Sequence, residues 1–470
     1  MYDGQEAPQA AGFTARPAGR PQAGAAARAR APRSLRPRGP HLMQKRSLLT
    51  IFIIVFVDLL GFGLILPLLP FYAEQFDASP AVIGLLVASY AAAQLVGAPV
   101  LGRLSDRFGR RPILLASLGG TFLGFLLLGF APSLGTLLAA SLDPSRAGLA
   151  STITLVILFA SRILDGMTGG NISVAQAYIT DVTDASNRAR GLGLIGAAFG
   201  LGFIIGPALG GTLSVLGFAV PAFAAAALSF VNLILVFVWL PESLTPERRA
   251  ALEAQARPPF TLGAMLGALN RPRVGPLLHI RLFFGLASST FQTIFALYAQ
   301  SKLGLTVQST GFVLTYVGVL AVLVQGVGVG WLTARYPERW IIFVSTAVLA
   351  ISLLGWAFVP SVGMLLVVLA PLAAATGTLN TVISSALSKA VYPEEVGGTL
   401  GLAASLESFT RVVSPSAGGL LLQQVGAWAP GVVSALIMAW VVSFTWRRLI
   451  ARPDAPLPPR VDPAVRSAQA

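Results

Sequence analysis

The sequence predicts an all-α polytopic membrane protein, with twelve transmembrane helices in two six-helix pseudo-symmetric bundles. Three observations carry that prediction: the apolar composition, the spacing of apolar runs, and a charged stretch that returns in altered form in the second half. Of 470 residues 55% are hydrophobic and 11% charged, with a mean hydropathy of +0.75. Soluble domains carry roughly 25% charged residues. Twelve segments approach the ~20 apolar residues that a spanning helix needs. The charged stretch, Gly102–Pro112, reads G-R-L-S-D-R-F-G-R-R-P and holds four arginines in eleven residues. Set between two membrane-length runs, it must lie in water at a membrane face.

Residues 1–46 are rich in Ala, Pro, Gly and Arg, have acids only at Asp3 and Glu6, and read as a disordered basic tail. The tail has no apolar core of a secretory signal, and Met43, just before Gln44-Lys45-Arg46 and the first apolar run, is a natural alternative start. The expected spans are 48–72, 80–101, 112–131, 149–175, 191–216, 219–240, 276–299, 309–332, 340–359, 361–386, 398–422 and 427–446. The corresponding domains are an N-terminal bundle over 47–240, a cytoplasmic central loop over 241–275, a C-terminal bundle over 276–448 and a disordered tail over 449–470.

The loops divide by charge. Of the 33 Lys and Arg, only Arg146 and Lys302 fall in the loops opposite Gly102–Pro112, while Arg162, Arg281 and Arg411 lie within or near spans. The excess of the remainder on one side puts both termini in the cytoplasm by the positive-inside tendency. The net charge of +14 is therefore a topology signal with anionic-lipid contact, and no nucleic acid partner is expected. With no cysteine and only His41 and His279, neither a metal site nor a cofactor is expected.

The halves resemble each other. Gly102–Pro112 aligns with Gly330–Trp340, and Asn171 with Pro207-Ala-Leu-Gly-Gly aligns with Asn380 and Pro415-Ser-Ala-Gly-Gly. Such a duplicated chain places its site at the interface of the halves. Asp106 is matched by Ala334 and Gly109 by Pro337, so the acidic partner of the loop arginines exists only in the first half. Asp106 is then expected to act as half of a cytoplasmic latch toward the second half, against the plainer reading of a topogenic turn.

Charges within a bilayer cost at least about 2.5–3.5 kcal/mol each, so each needs an explanation. Asp58 lies about ten residues, or ~15 Å, into span 1, before Gly61, Gly63, Pro67 and Pro70, which suggests an irregular helix beside a cavity. A carboxyl there is a candidate to take and release a proton; pairing with Arg162 is the structural alternative. Arg162 and Asp165, three apart, share a face of span 4 with Gly169, Ile172, Ser173 and Gln176. That stripe reads as cavity lining, or as an ion pair joining spans 1 and 4. Glu407 and Arg411 form an i,i+4 pair in span 11 where the first half has Phe199 and Phe203. Two readings stand for it: a second proton or substrate site, or a neutralised pair fixing span 11. His279 and Arg281, near the end of span 7, are expected to snorkel to the interface. Gly196, Gly200, Gly202, Gly206, Gly210 and Gly211 flank Pro207 in span 5 as small-xxx-small pairs that let helices approach closely. The remaining cavity candidates are Asn171, Gln292, Phe295, Tyr298, Gln325 and Asn380.

At these residues the chain, over about 45–450, resembles the major facilitator superfamily and specifically its drug–proton antiporters, including tetracycline efflux proteins. The family's loop motif is met by Gly102, Leu104, Asp106, Arg107, Gly109, Arg110 and Arg111, and its antiporter motif by Gly202, Gly206, Pro207, Gly210 and Gly211. Arg162 with Gly166, and Asp58 through Pro70, match the motifs of spans 4 and 1. The resemblance implies the major facilitator fold, a monomer, and alternating access in which a proton moves inward as a small organic substrate moves out. Proton coupling then falls to Asp58, Arg162, Asp165, Glu407 and Arg411. Spans 3 and 9 lack the acidic residues important in tetracycline-specific proteins.

The expected function is therefore proton-coupled export of small hydrophobic or amphipathic molecules across a bacterial inner membrane, with no enzymatic activity. A solute importer or uniporter on the same fold is the first alternative. A non-transporting receptor or an intramembrane enzyme is more remote, and an ATP-driven pump is disfavoured because no G-x-x-x-x-G-K-S/T loop occurs.

Overall fold

Prolines, capping hydroxyls and glycine pairs mark where each helix of this computed structural model begins, breaks and ends. It describes residues 40–143, 145–183, 185–245, 249, 263, 267, 269–392 and 395–451. The first spanning helix, α1, is Pro40–Ile65. It stops before Pro67, whose missing N–H cannot continue the ladder, and a short turn of helix resumes at Leu69–Glu74. The helix takes in residues 40–46, which composition had assigned to the tail: Met43, Gln44, Lys45 and Arg46 are good helix formers, and Pro40 suits a first position. The expected tail over 1–39, most of the central loop and the C-terminal tail beyond 451 lie outside the described residues.

Helix α2 is Pro80–Phe108, started by Ser79, whose side chain accepts from the Val82 amide, with Pro80 at its first position. Helix α3 is Arg110–Leu142. Helix α4 comes in two pieces, Leu149–Thr168 and Asn171–Val182, broken at Gly169-Gly170. Helices α5 and α6 are Ala185–Leu213 and Ala219–Trp239. In the second half α7 is Val274–Leu303, and α8 is Val307–Leu323, continuing through a wide turn at Val324–Gly328 into Val329–Arg335. Helices α9 to α12 are Glu338–Ala357, Val362–Lys389, Val396–Gln424 and Ala429–Thr445.

Among the described residues, eleven helices are long and apolar enough to cross a membrane. The twelfth, α11, falls short because it carries Glu407, Arg411 and several Gly and Ser residues. The fold is all-helical, in two six-helix bundles. The largest buried apolar cluster is drawn from residues between Val274 and Val441, and two smaller ones are drawn from Ile51 to Leu240 with Leu297 of α7.

The halves meet at the end opposite the Gly102–Pro112 turn. There Gln423 Oε1 accepts from the Ala81 amide at 3.2 Å and Gln300 Nε2 donates to Glu74 Oε2 at 2.6 Å. Helices α2 and α11 touch backbone to backbone at Gly84 with Pro415 and at Gly419 with Pro80. Helix α5 is wedged between α1 and α8. Gly202, Gly206 and Gly210 lie against Leu59, Gly63 and Leu64 of α1, whereas Pro207 and Gly211 lie against Gly311 and Gln308 of α8.

Candidate functional site

The break in α4 shapes the site. Two consecutive glycines interrupt the helix, and its freed carbonyls are met by side chains: Gln94 Nε2 donates to Gly169 O at 3.0 Å, and Ser117 Oγ donates to Thr168 O. The second piece of α4 therefore starts afresh at Asn171, beside Asp58, and the stripe read from Asp165 to Gln176 as one continuous face is divided there. Asp58, Asp165 and Asn171 line one cleft with Tyr90, Gln94 and Thr121, and Arg411 of the second half reaches into it. The cleft measures about 50 Å³. That is room for a few waters, well below the ~300–1,000 Å³ of a drug-sized site, so a larger ligand needs the halves to part.

Arg162 and Asp165 are each 3% exposed and pair at 3.1 Å. The Arg162 guanidinium also lies 5.3 Å over the Phe125 ring, which leaves Nη2 buried with no hydrogen-bond partner. Asp58 is near enough to Asp165 to feel its charge, and the pairing alternative to Arg162 is taken by Asp165 instead. The two carboxyls thus line one cleft, Asp165 held by Arg162 and Asp58 bonded to Asn171.

Across the cleft, Glu407 is clamped by two arginines. Arg281 Nη2 lies 2.5 Å from Glu407 Oε2 and Arg411 Nη2 lies 2.7 Å from Oε1. Arg281 also donates to Asn380 Oδ1 at 2.5 Å. The expectation that Arg281 snorkels to the interface is wrong: it is 9% exposed and points into the bundle, because Glu407 and Asn380 offer better partners than a headgroup layer two turns away. His279 pairs its Nδ1 with Gly275 O at 2.8 Å, half-buried against Phe444.

The Gly102–Pro112 turn is a second polar centre. Arg110 Nη1 reaches Asp106 Oδ1 at 2.6 Å, its Nε reaches Asp181 Oδ2 at 2.9 Å, and Ser105 Oγ accepts a third bond at 2.7 Å. The Glu242 carboxylate caps α3, accepting from the Arg110 and Arg111 amides at 2.9 and 3.1 Å. Gly109 is required by its backbone, whose φ of +107° side-chain-bearing residues rarely adopt, and a Cβ there would also push on the Glu242 carboxylate. Arg111 donates to Phe237 O at 2.5 Å, and Arg107 lies exposed beside Phe108. Gly102 lies within the last two turns of α2, its carbonyl accepting from Ser105 Oγ. Asp181 and Glu242 escaped sequence reading because they lie far along the chain from the motif they serve.

Some cavity candidates sit elsewhere. Phe295 and Tyr298 are fully buried in the second-half core: Phe295 packs on Phe291, and the Tyr298 hydroxyl donates to Trp356 O at 2.6 Å. Two helical turns of apolar residues around them made the core the cheaper place for their rings. Gln325 lies against Gly377 of α10, and Gln176 and Gln292 are exposed outside the cleft. Tyr90 and Gln94 were missed, although a hydroxyl and an amide four apart in an apolar span are a readable signal; Gln94 Nε2 donates to Tyr90 Oη at 3.0 Å.

Among the described residues, twelve long helices in two bundles, eleven of them long and apolar enough to cross a membrane, with a charged cleft contributed by both, define a membrane transporter. The chain belongs to the Major Facilitator Superfamily, whose model matches residues 51–327 and 277–469. It is 31% identical to mouse solute carrier family 22 member 18 over 389 residues, covering 82% of this chain and 91% of that protein. It is also 31% identical over 411 residues to the class C tetracycline resistance protein of Escherichia coli, covering 85% and 94%. Relatives of the latter kind bear out the resemblance drawn from the motifs. Among solved structures, a bacterial homologue of the human lysosomal transporter Spinster, inward-facing and occupied, matches with a TM-score of 0.68 at 14% identity, covering 90% of this chain and 100% of that one. At that identity the likeness speaks for the fold.

Proposed function

We propose that this protein is a proton-coupled exporter of small hydrophobic or amphipathic organic molecules, working by alternating access. The observation that carries the reading is the cleft in which Asp58 lies beside Asp165, itself paired with Arg162, while Arg411 faces them from the other half. A proton can replace one of those contacts, and a cargo cation can replace the proton. With the arginine-rich turn on the cytoplasmic side, contact between the halves at the opposite end makes this an inward-open state. In it Asp106, near the end of α2, is paired with Arg110 at the start of α3. Its contacts with the second half would form when the cytoplasmic side closes, which is the latch role proposed for Gly102, Asp106, Arg107, Gly109, Arg110 and Arg111. Helix α5, packed on α1 and α8 at once, transmits the motion of one half to the other.

The test uses purified protein in proteoliposomes loaded with tetracycline or ethidium under an imposed pH gradient. Gradient-driven flux in the wild type, lost in Asp58→Asn while downhill exchange persists, is the expected result. Flux that ignores the gradient, or is unchanged by Asp58→Asn, would overturn the proton coupling and favour a uniporter.

A further inference from the structure

The two halves present the cleft with opposite charges built on matching positions. Each half sets an ionisable residue of its first helix beside an asparagine of its fourth: Asp58 with Asn171 in one, Arg281 with Asn380 in the other. With its carboxyls ionised, the wall made by Asp58, Arg162 and Asp165 has one negative charge in excess. The wall made by Arg281, Glu407 and Arg411 has one positive charge in excess. That surplus is deliverable at Arg411, whose side chain is 48% exposed and lines the same cleft as Asp58 and Asp165. Asp165 and Arg281 are almost fully buried, so the charge behind each wall is held by protein partners and only Arg411 is open to an incoming group.

A ligand entering between the walls separates these charges and must replace what each loses. A simple cation would satisfy the acidic wall and strand Arg411. A simple anion would satisfy Arg411 and strand the carboxyls. Only a molecule with both groups answers both walls. We infer that the cleft selects amphoteric organic substrates, an amine set against Asp58 and Asp165 and an acidic oxygen held by Arg411. This rests on the reading that the cleft is the substrate site. It also fits exchange, because a proton on the acidic wall needs only to displace the amine.

The experiment is equilibrium binding by calorimetry to the purified full-length protein, without a gradient. The probes are norfloxacin, which carries a piperazinium and a carboxylate, its ethyl ester, which is a cation only, and its N-acetyl derivative, which is an anion only. Norfloxacin should bind about tenfold or more tighter than either derivative. Arg411→Ala should collapse the norfloxacin-to-ester ratio to within about twofold, and Arg411→Lys should keep part of it. Glu407→Gln, which frees both arginines from their shared carboxylate, should widen the ratio. A structural role for the cluster would instead lower it in both variants. Equal affinities for acid and ester in the wild type, an unchanged ratio in Arg411→Ala, or no norfloxacin binding at millimolar concentration overturns the inference. Coupled flux is read separately with tetracycline, so failed selectivity with gradient-driven flux intact sinks this inference alone, and the converse sinks the exporter reading alone.

Discussion

Gly206 sits in the close backbone contact between α1 and α5. A Cβ built there would lie 2.6 Å from the Gly63 carbonyl carbon, 2.7 Å from Gly63 Cα and 3.0 Å from the Leu64 nitrogen. Ordinary contact begins at 3.4 Å, so the two helices would have to part by about 0.8 Å, and every obstructing atom is backbone that cannot rotate away. Overpacking of this kind costs about 1–3 kcal/mol. The same substitution at Gly196, on the same helix, meets nothing within 4 Å. There alanine limits the unfolded chain and should stabilise by about 0.4–1 kcal/mol. Thermal unfolding of the detergent-solubilised protein compares the two directly. Gly206→Ala should unfold at lower temperature than wild type, and Gly196→Ala at the same temperature or higher. If Gly206→Ala proves as stable as Gly196→Ala, the backbone contact between α1 and α5 is not present in the protein, and the account of α5 as the wedge between the halves falls with it.

Three further results are expected. Glu242→Ala removes the carboxylate that caps α3 and should lower stability by about 1 kcal/mol, with Glu242→Gln recovering part because its carbonyl oxygen still accepts from the amides; equal losses in both would show that charge alone matters. Arg281→Met leaves Glu407 with Arg411 alone and should cost about 2 kcal/mol, less than a fully buried pair because Glu407 remains 32% exposed. Adding Glu407→Leu should restore most of that loss in the same unfolding assay, since Arg411 still faces the acidic wall; a double variant worse than both single ones would refute the pairing. Asp106→Asn should cripple transport in proteoliposomes while leaving ligand affinity near wild type, and undiminished flux would reduce the Gly102–Pro112 turn to a topological marker.

The spans were legible because membrane length and apolarity are properties of contiguous residues, and the start after Ser79 was read to the residue, whereas the breaks at Pro67 and at Gly169-Gly170 fell inside segments read as continuous. The motif at Gly102–Pro112 was legible too, since four arginines in eleven residues need no partner to be noticed, although the structure makes it the meeting of two helix ends at Gly109 rather than a loop. Asp58, Asp165, Arg162 and Arg411 could be singled out one by one from the expense of a charge in lipid. Their grouping could not. Sequence periodicity said that Glu407 pairs with Arg411 four residues on, and it does, at 2.7 Å. It could not say that Arg281, 126 positions away, holds the other oxygen.

The same division runs through the glycines and the aromatic residues. Gly196/Gly200 and Gly202/Gly206 are indistinguishable as spacings, yet only the latter pair both face α1, because which side of a helix meets a neighbour depends on where that neighbour lies. Phe295 and Tyr298 looked like cavity residues and fill the core, as ring burial is decided by the space around Trp356 rather than by their own chemistry. The sequence by itself determined the number and order of the spanning segments and the charges they carry, because those depend on local solvation and backbone bonding. Which charges share a cleft, which carboxylate caps α3 and which end of the bundle is shut were decided only by tertiary structure, because each depends on groups far apart in the chain meeting where water is scarce.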